Sequence, residues 1–183
     1  MPKRQGWTLN QKNNINKESM IMTKEVIAAI HTAMKVEKNA MNFYLACAGQ
    51  SQDEKTKNFF NLLAREEKEH AHTFFAIDPE GGDENNFTTF IATSDDVEGP
   101  FANVGKLVAD FTERKAMLLA LDKEKALAEQ LRAMAAKIAD PEVKKVYEWN
   151  ARSTDHHFQL IEEEYSRLMG MVHATDVDTY VRE

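Results

Sequence analysis

From Thr23 to Ala48 the residues Ile27, Ile30, Met34, Met41 and Tyr44 recur at helical spacing on one stripe, with Thr23 as N-cap. Ser51-Gln52-Asp53-Glu54 has the capping-box pattern and predicts a second helix running to about Phe75. Residues 76–105 collect the turn formers Pro79, Gly81, Gly82, Gly99, Pro100 and Gly105 and read as a long connection, with a short helix or strand around Phe87–Thr93. A third helix is expected over roughly 106–138, carrying Met117, Leu121, Ala128, Leu131, Ala135 and Ile138 on one stripe. Asp140-Pro141, an N-cap followed by proline at the first helical position, starts a fourth helix lasting to about Met169.

Each stripe is broken by polar residues. Glu37 interrupts the first, and the second reads Phe60, Leu63, Glu67, His70, Phe74. Glu124 interrupts the third, and the fourth reads Val143, Tyr147, Asn150, Thr154, His157, Ile161. Sliding the chain against itself by 87 residues superposes the two helical pairs without a gap: Ala33, Glu37, Lys38, Asp53, Arg65 and His70 meet Ala120, Glu124, Lys125, Asp140, Arg152 and His157. The pattern predicts an all-α four-helix bundle made of two duplicated helical hairpins joined by a long crossover. A helix of about 24 residues is roughly 36 Å long, a span that about 11 extended residues can cover, so the connection has residues to spare.

With 183 residues, 43% of them hydrophobic, the chain can bury one core, and a single domain over residues 22–170 is expected. The polar, aperiodic residues 1–21 are expected to be a flexible N-terminal extension, with translation beginning at Met20 or Met22, and 171–183 a C-terminal tail. A net charge of −7 argues against a nucleic-acid surface. The chain has no apolar run long enough for a membrane span, and its one cysteine, Cys47, excludes a disulfide framework. These features point to a cytoplasmic protein with neither nucleic-acid nor membrane partners.

A buried, unpaired carboxylate normally protonates, and three facing one another across a bundle repel, so something positive is expected among them. Glu37, Glu67, His70, Glu124 and His157 supply carboxylate oxygens and imidazole nitrogens from four helices, a donor set suited to iron or manganese.

Glu37-x-x-Ala40-x-x-Phe43-Tyr44, followed about thirty residues later by Glu67-x-x-His70 within REEKEH, resembles the first half of a rubrerythrin-type ferritin-like protein. The resemblance covers roughly residues 22–170. It implies two iron ions held by one Glu from each of two helices and a Glu-x-x-His from each of the other two, and redox chemistry with peroxide or dioxygen. A homodimer is the expectation that goes with the family. The usual rubredoxin module is missing, so the resemblance implies an external electron-donor protein.

The sequence departs from the pattern at Thr154, which stands where Glu67 predicts a second bridging carboxylate. Either an asymmetric two-metal site is completed by water, or a single ion is held mainly by Glu37, Glu67 and His70. Asp155, about 100° round the helix, substitutes only if that helix rotates or distorts. Leu127 stands where some rubrerythrins carry an extra glutamate. The alternative to a redox centre is a degenerate ferritin-like binding or assembly module with a structural metal or none.

His31, His72 and His156 are assigned to the surface or to supporting positions, and Glu66, Glu69, Glu162 and Glu163 to solvent. Tyr44 and Tyr147 are placed near the centre, within reach of a carboxylate. Removing Glu67 is expected to relieve repulsion in the metal-free chain, which should then melt no lower.

Overall fold

The structure, a computed structural model, describes residues 22–93 and 99–170. The expectations for 1–21 and 171–183 fall outside that range. Four long helices, α1 (Lys24–Gln50), α2 (Glu54–Phe75), α5 (Glu113–Ala135) and α6 (Pro141–Leu168), form the bundle, and two short ones, α3 (Glu84–Ile91) and α4 (Val104–Leu107), lie in the crossover. Among the described residues there is no strand.

The helix ends follow from local hydrogen bonding, with two corrections to the sequence reading. Thr23 caps α1 as expected, accepting from Val26 N–H, and Asp140 caps α6 with Pro141 in the first turn. Ser51 does not open α2. It closes α1, and both its N–H and its hydroxyl donate to the Cys47 carbonyl, at 3.0 and 2.8 Å. The cap of α2 is Asp53, which accepts from Thr56 N–H at 2.7 Å. Asp53 and Asp140 are one pair of the duplication, so the repeat marked the true cap and the local capping-box pattern did not.

The second correction is at 106–138, where the expected single helix is divided. Thr112 accepts from Lys115 N–H and starts α5 there. Glu113 fixes the break by accepting from Gln52 N–H and Asp53 N–H at 2.8 and 2.9 Å, which docks the start of α5 on the α1–α2 turn.

These contacts also set the topology. Arg167, in the last turn of α6, donates to Asp53 at 2.7 Å, so α2 and α5 begin at the end of the bundle where α6 finishes. The chain leaves α2 at the opposite end, so the connection to α5 must return along the full length. Its described residues on either side of 94–98 pack on the outer face of α1. Lys38 Nζ donates to Thr93 at 3.0 Å and lies 4.7 Å from the Phe90 ring centroid, while Phe101 enters the core beside Phe43 and Tyr44, at ring-centroid distances of 5.2 and 5.8 Å. Gly99 adopts φ 84° against Val36, where a Cβ would approach to 2.4 Å. This cover buries Val36, Lys38 and Phe43, positions the α1 stripe alone did not claim.

Candidate metal centre

The bundle brings together all five residues singled out in the sequence. Glu37 on α1, Glu67 and His70 on α2, Glu124 on α5, and His157 on α6 are buried, with Thr154 beside them. The register explains why. Glu67 and His70 sit three residues apart and therefore share a helix face. Glu37 and Glu124 hold equivalent positions on α1 and α5, which deliver them to the same level of the core.

Glu67 lies at the middle. Its Oε2 is 3.1 Å from His70 Nδ1 and its Oε1 is 2.8 Å from His157 Nδ1. Glu37 Oε2 lies 3.9 Å from His70 Nδ1, and Glu124 Oε2 lies 3.9 Å from His157 Nδ1. Two related half-sites result, each with one imidazole nitrogen, one outer carboxylate and one oxygen of Glu67. Glu67, His70 and His157 each direct a ligand atom to within 4.8 Å of the other two. The imidazoles stack, with centroids 5.0 Å apart, and Trp149 meets His70 edge-on at 5.5 Å.

Several buried polar atoms here make no hydrogen bond: both oxygens of Glu37, Oε2 of Glu124, and the Tyr147 hydroxyl. Tyr44, by contrast, donates to Glu124 Oε1. The duplication accounts for the difference, since Leu131 stands where Tyr44 would be repeated and leaves Glu37 without an equivalent phenol. Of the two tyrosines expected near a carboxylate, Tyr44 is hydrogen-bonded to one and Tyr147 is not.

Electrostatics follow this arrangement. Burial, followed by the charge of Glu67, pushes Glu37 well above the ordinary carboxyl range and Glu124 up to about 8. Burial acts on Glu67 in the same direction, but the charges of His157 and His70 outweigh it and hold Glu67 low. Burial alone would lower His157, yet the charge of Glu67 and the hydrogen bond that His157 donates to Glu66 raise it to about 11. In the cation-free protein, a protonated His157 is therefore the positive charge that the buried carboxylates require. The donor set fits a divalent metal: it offers carboxylate and imidazole ligands, with unpartnered buried oxygens directed to the same space.

Three findings differ from the sequence reading or sharpen it. Glu66 is not simply solvated, because its Oε2 lies 2.9 Å from His157 Nε2. Ser153, which drew no attention in the sequence, lies 2.8 Å from His70 Nε2 through its Oγ. Asp155 does not replace the missing carboxylate: it pairs with Arg132 in the cleft between α5 and α6, and the Thr154 hydroxyl donates to the Asn150 carbonyl at 2.9 Å. The signal for Glu66 and Ser153 lay in the repeat, where the two share one position.

His31 and His72 pair with Asp78 and Glu84 away from the centre, and His156 is exposed. Cys47 is buried, and burial pushes its thiol up to about 12, leaving an unreactive core residue. A groove of about 300 Å³ between α1 and α5 reaches Tyr147 past Ala33, Val36, Leu127 and Leu131. Among the described residues no helix is long and apolar enough to cross a membrane.

Comparison with known families matches residues 11–97 to rubrerythrin. The match takes in α1, α2 and α3, and with them Glu37, Glu67 and His70. No curated protein and no solved structure matches the chain.

Proposed function

Starting from a chain that matches the rubrerythrin family over residues 11–97 and folds as a ferritin-like bundle, we propose that its centre holds two iron ions and serves oxidoreduction. Manganese suits the same donors. Glu37, Glu67 and His70 would hold one ion, and Glu124, Glu67 and His157 the other, with Glu67 shared. When bound, such ions supply electron exchange with peroxide or dioxygen. The observation that carries this reading is Glu67, whose two oxygens each face a different imidazole Nδ1, while both oxygens of Glu37 and Oε2 of Glu124 are buried beside them without a hydrogen bond.

The chain's own part is to hold ligands and to manage protons. Tyr44 engages one oxygen of Glu124 and leaves Oε2 for a cation. Ser153 and Glu66 hold the outer nitrogens of the two imidazoles, directing both Nδ1 atoms inward. Loading requires the protons on His157 Nδ1, Glu37 and Glu124 to leave, so uptake strengthens as pH rises. Three carboxylates balance only part of the charge of two divalent ions, which favours a further anionic ligand. The lone cysteine leaves no internal redox pair, so reducing equivalents would come from a separate electron-donor protein.

Metal analysis of protein purified without chelators tests the proposal. Close to two iron or manganese ions per chain is expected. Close to one would mean that Thr154 disables half of the centre. None, after anaerobic reconstitution with ferrous iron as well, would overturn the redox reading in favour of a binding or assembly module, with protonated His157 as its permanent counter-charge.

A further inference from the structure

The 87-residue offset pairs Glu66 with Ser153, Glu67 with Thr154 and His70 with His157. The contacts between these positions are crossed. Glu66 on α2 reaches His157 on α6 at 2.9 Å, and Ser153 on α6 reaches His70 on α2 at 2.8 Å. Each imidazole is thus held at Nε2 by the opposite hairpin and presents Nδ1 to Glu67.

The two contacts are equivalent in position and unequal in charge. His70 meets a neutral hydroxyl, whereas His157 meets a carboxylate. His157 is also the imidazole whose own helix lacks a ligand glutamate, because Thr154 takes that place and turns its hydroxyl to the Asn150 carbonyl. A carboxylate accepting from the far nitrogen of a ligand imidazole fixes the tautomer and increases the basicity of the near nitrogen. The negative charge missing from α6 at position 154 therefore returns from α2 at position 66, acting through the ring instead of at the cation.

We propose that Glu66 is a positioning residue for the His157 half of the centre: it accepts the Nε2 hydrogen, commits Nδ1 to the cation, and offsets the carboxylate that Thr154 does not provide. The inference rests on the metal-centre reading above. Glu66 is partly open to solvent while His157 is fully buried, so the contact lies at the boundary of the site and seals the ring's outer edge.

The test is titration of the metal-free full-length chain with Mn²⁺, followed by Co²⁺ for its ligand-field absorption. In wild type, two equivalents are expected. Glu66→Ala should weaken one of them by about 10- to 100-fold and leave the other within a few-fold. Glu66→Gln keeps an acceptor without the charge and should fall between, with a shifted cobalt band. A Zn²⁺-loaded, ¹⁵N-labelled sample supplies the readout that a merely structural role would not move: His157 should report a protonated Nε2 in wild type, and loss of Glu66 should alter that signal more than the His70 signal. If both Glu66 variants bind two equivalents with wild-type affinity and unchanged cobalt spectra, this inference alone is overturned. A wild-type chain that takes up no cation overturns the metal-centre reading and this inference with it.

Discussion

Replacing Glu124 with Gln should change stability in opposite directions depending on whether a cation is present. Glu124 is buried, Tyr44 donates to one of its oxygens, and its carboxyl is pushed up to about 8 from an ordinary 4.5. The sign follows from the raised value. Below about pH 4.5 the group is neutral whether the chain is folded or unfolded and has no effect. Above that, the unfolded chain ionises and the folded chain does not, so the folded state loses ground until pH reaches about 8. At 1.36 kcal/mol per pH unit, the penalty is about 3 kcal/mol at pH 7 and below about 1 kcal/mol at pH 5.

Gln has nearly the same shape, still accepts from Tyr44, and cannot ionise. Metal-free Glu124→Gln should therefore melt higher than wild type by roughly 6–12 °C at pH 7, but by no more than about 2–4 °C at pH 5. With Mn²⁺ or Fe²⁺ the order reverses, because a charged ligand has been lost. Thermal melts in chelator and in excess cation, at both pH values, make the comparison. A variant that is no more stable than wild type when metal-free at pH 7, or that gains equally at both pH values, would refute this account of the buried carboxylate.

Glu67 should behave the other way. The stripe pattern alone predicts that its removal relieves repulsion, but Glu67 is the carboxylate that satisfies both imidazoles, so metal-free Glu67→Ala should be less stable than wild type by roughly 3 kcal/mol, the loss seen when one partner of a buried pair is removed. Metal analysis of the same variant should find less bound cation than in His157→Ala, and equal retention would argue against a shared Glu67. Thr154→Glu should tighten the weaker of the two cation equivalents and lower metal-free stability, both read from iron titration and melts; an unchanged titration would mean that the hydroxyl position does not face the centre. Gly99→Ala should cost about 1–3 kcal/mol in chemical denaturation, because the new Cβ meets Val36 at a left-handed backbone position. Wild-type stability there would mean that the crossover does not bear on α1.

The bundle was legible because the sequence states it twice. Apolar stripes at helical spacing fixed four long helices, and the repeat paired Glu37 with Glu124 and His70 with His157, so the principal residues of the candidate site could be named without coordinates. What was missed depends on contacts between distant segments. The break before α5 depends on Glu113 accepting hydrogen bonds from the α1–α2 turn, which no local pattern encodes. Val36 and Lys38 were missed because the crossover covers a face that would otherwise be exposed. Glu66 was assigned to solvent because it lies off the apolar stripe of its own helix. Its partner is on α6, and only the opposed packing of the hairpins brings them together.

The duplication also separates what the fold requires from what each half contributes. Both hairpins retain the outer glutamate and the histidine; the second helix of each pair diverges beside that histidine at two adjacent positions, with Glu66 and Glu67 on α2 against Ser153 and Thr154 on α6. All four side chains hydrogen-bond at or beside the centre, so the divergence redistributes charge without dismantling the network. The enclosed carboxylates demand positive charge, and the cation-free chain meets that demand with a proton on His157 and neutral forms of Glu37 and Glu124. A divalent cation would meet it at the same atoms. Protons and cations then compete for one buried set of ligands, so a single change of charge, at Glu66, Glu124 or Thr154, must move folding and cation uptake together.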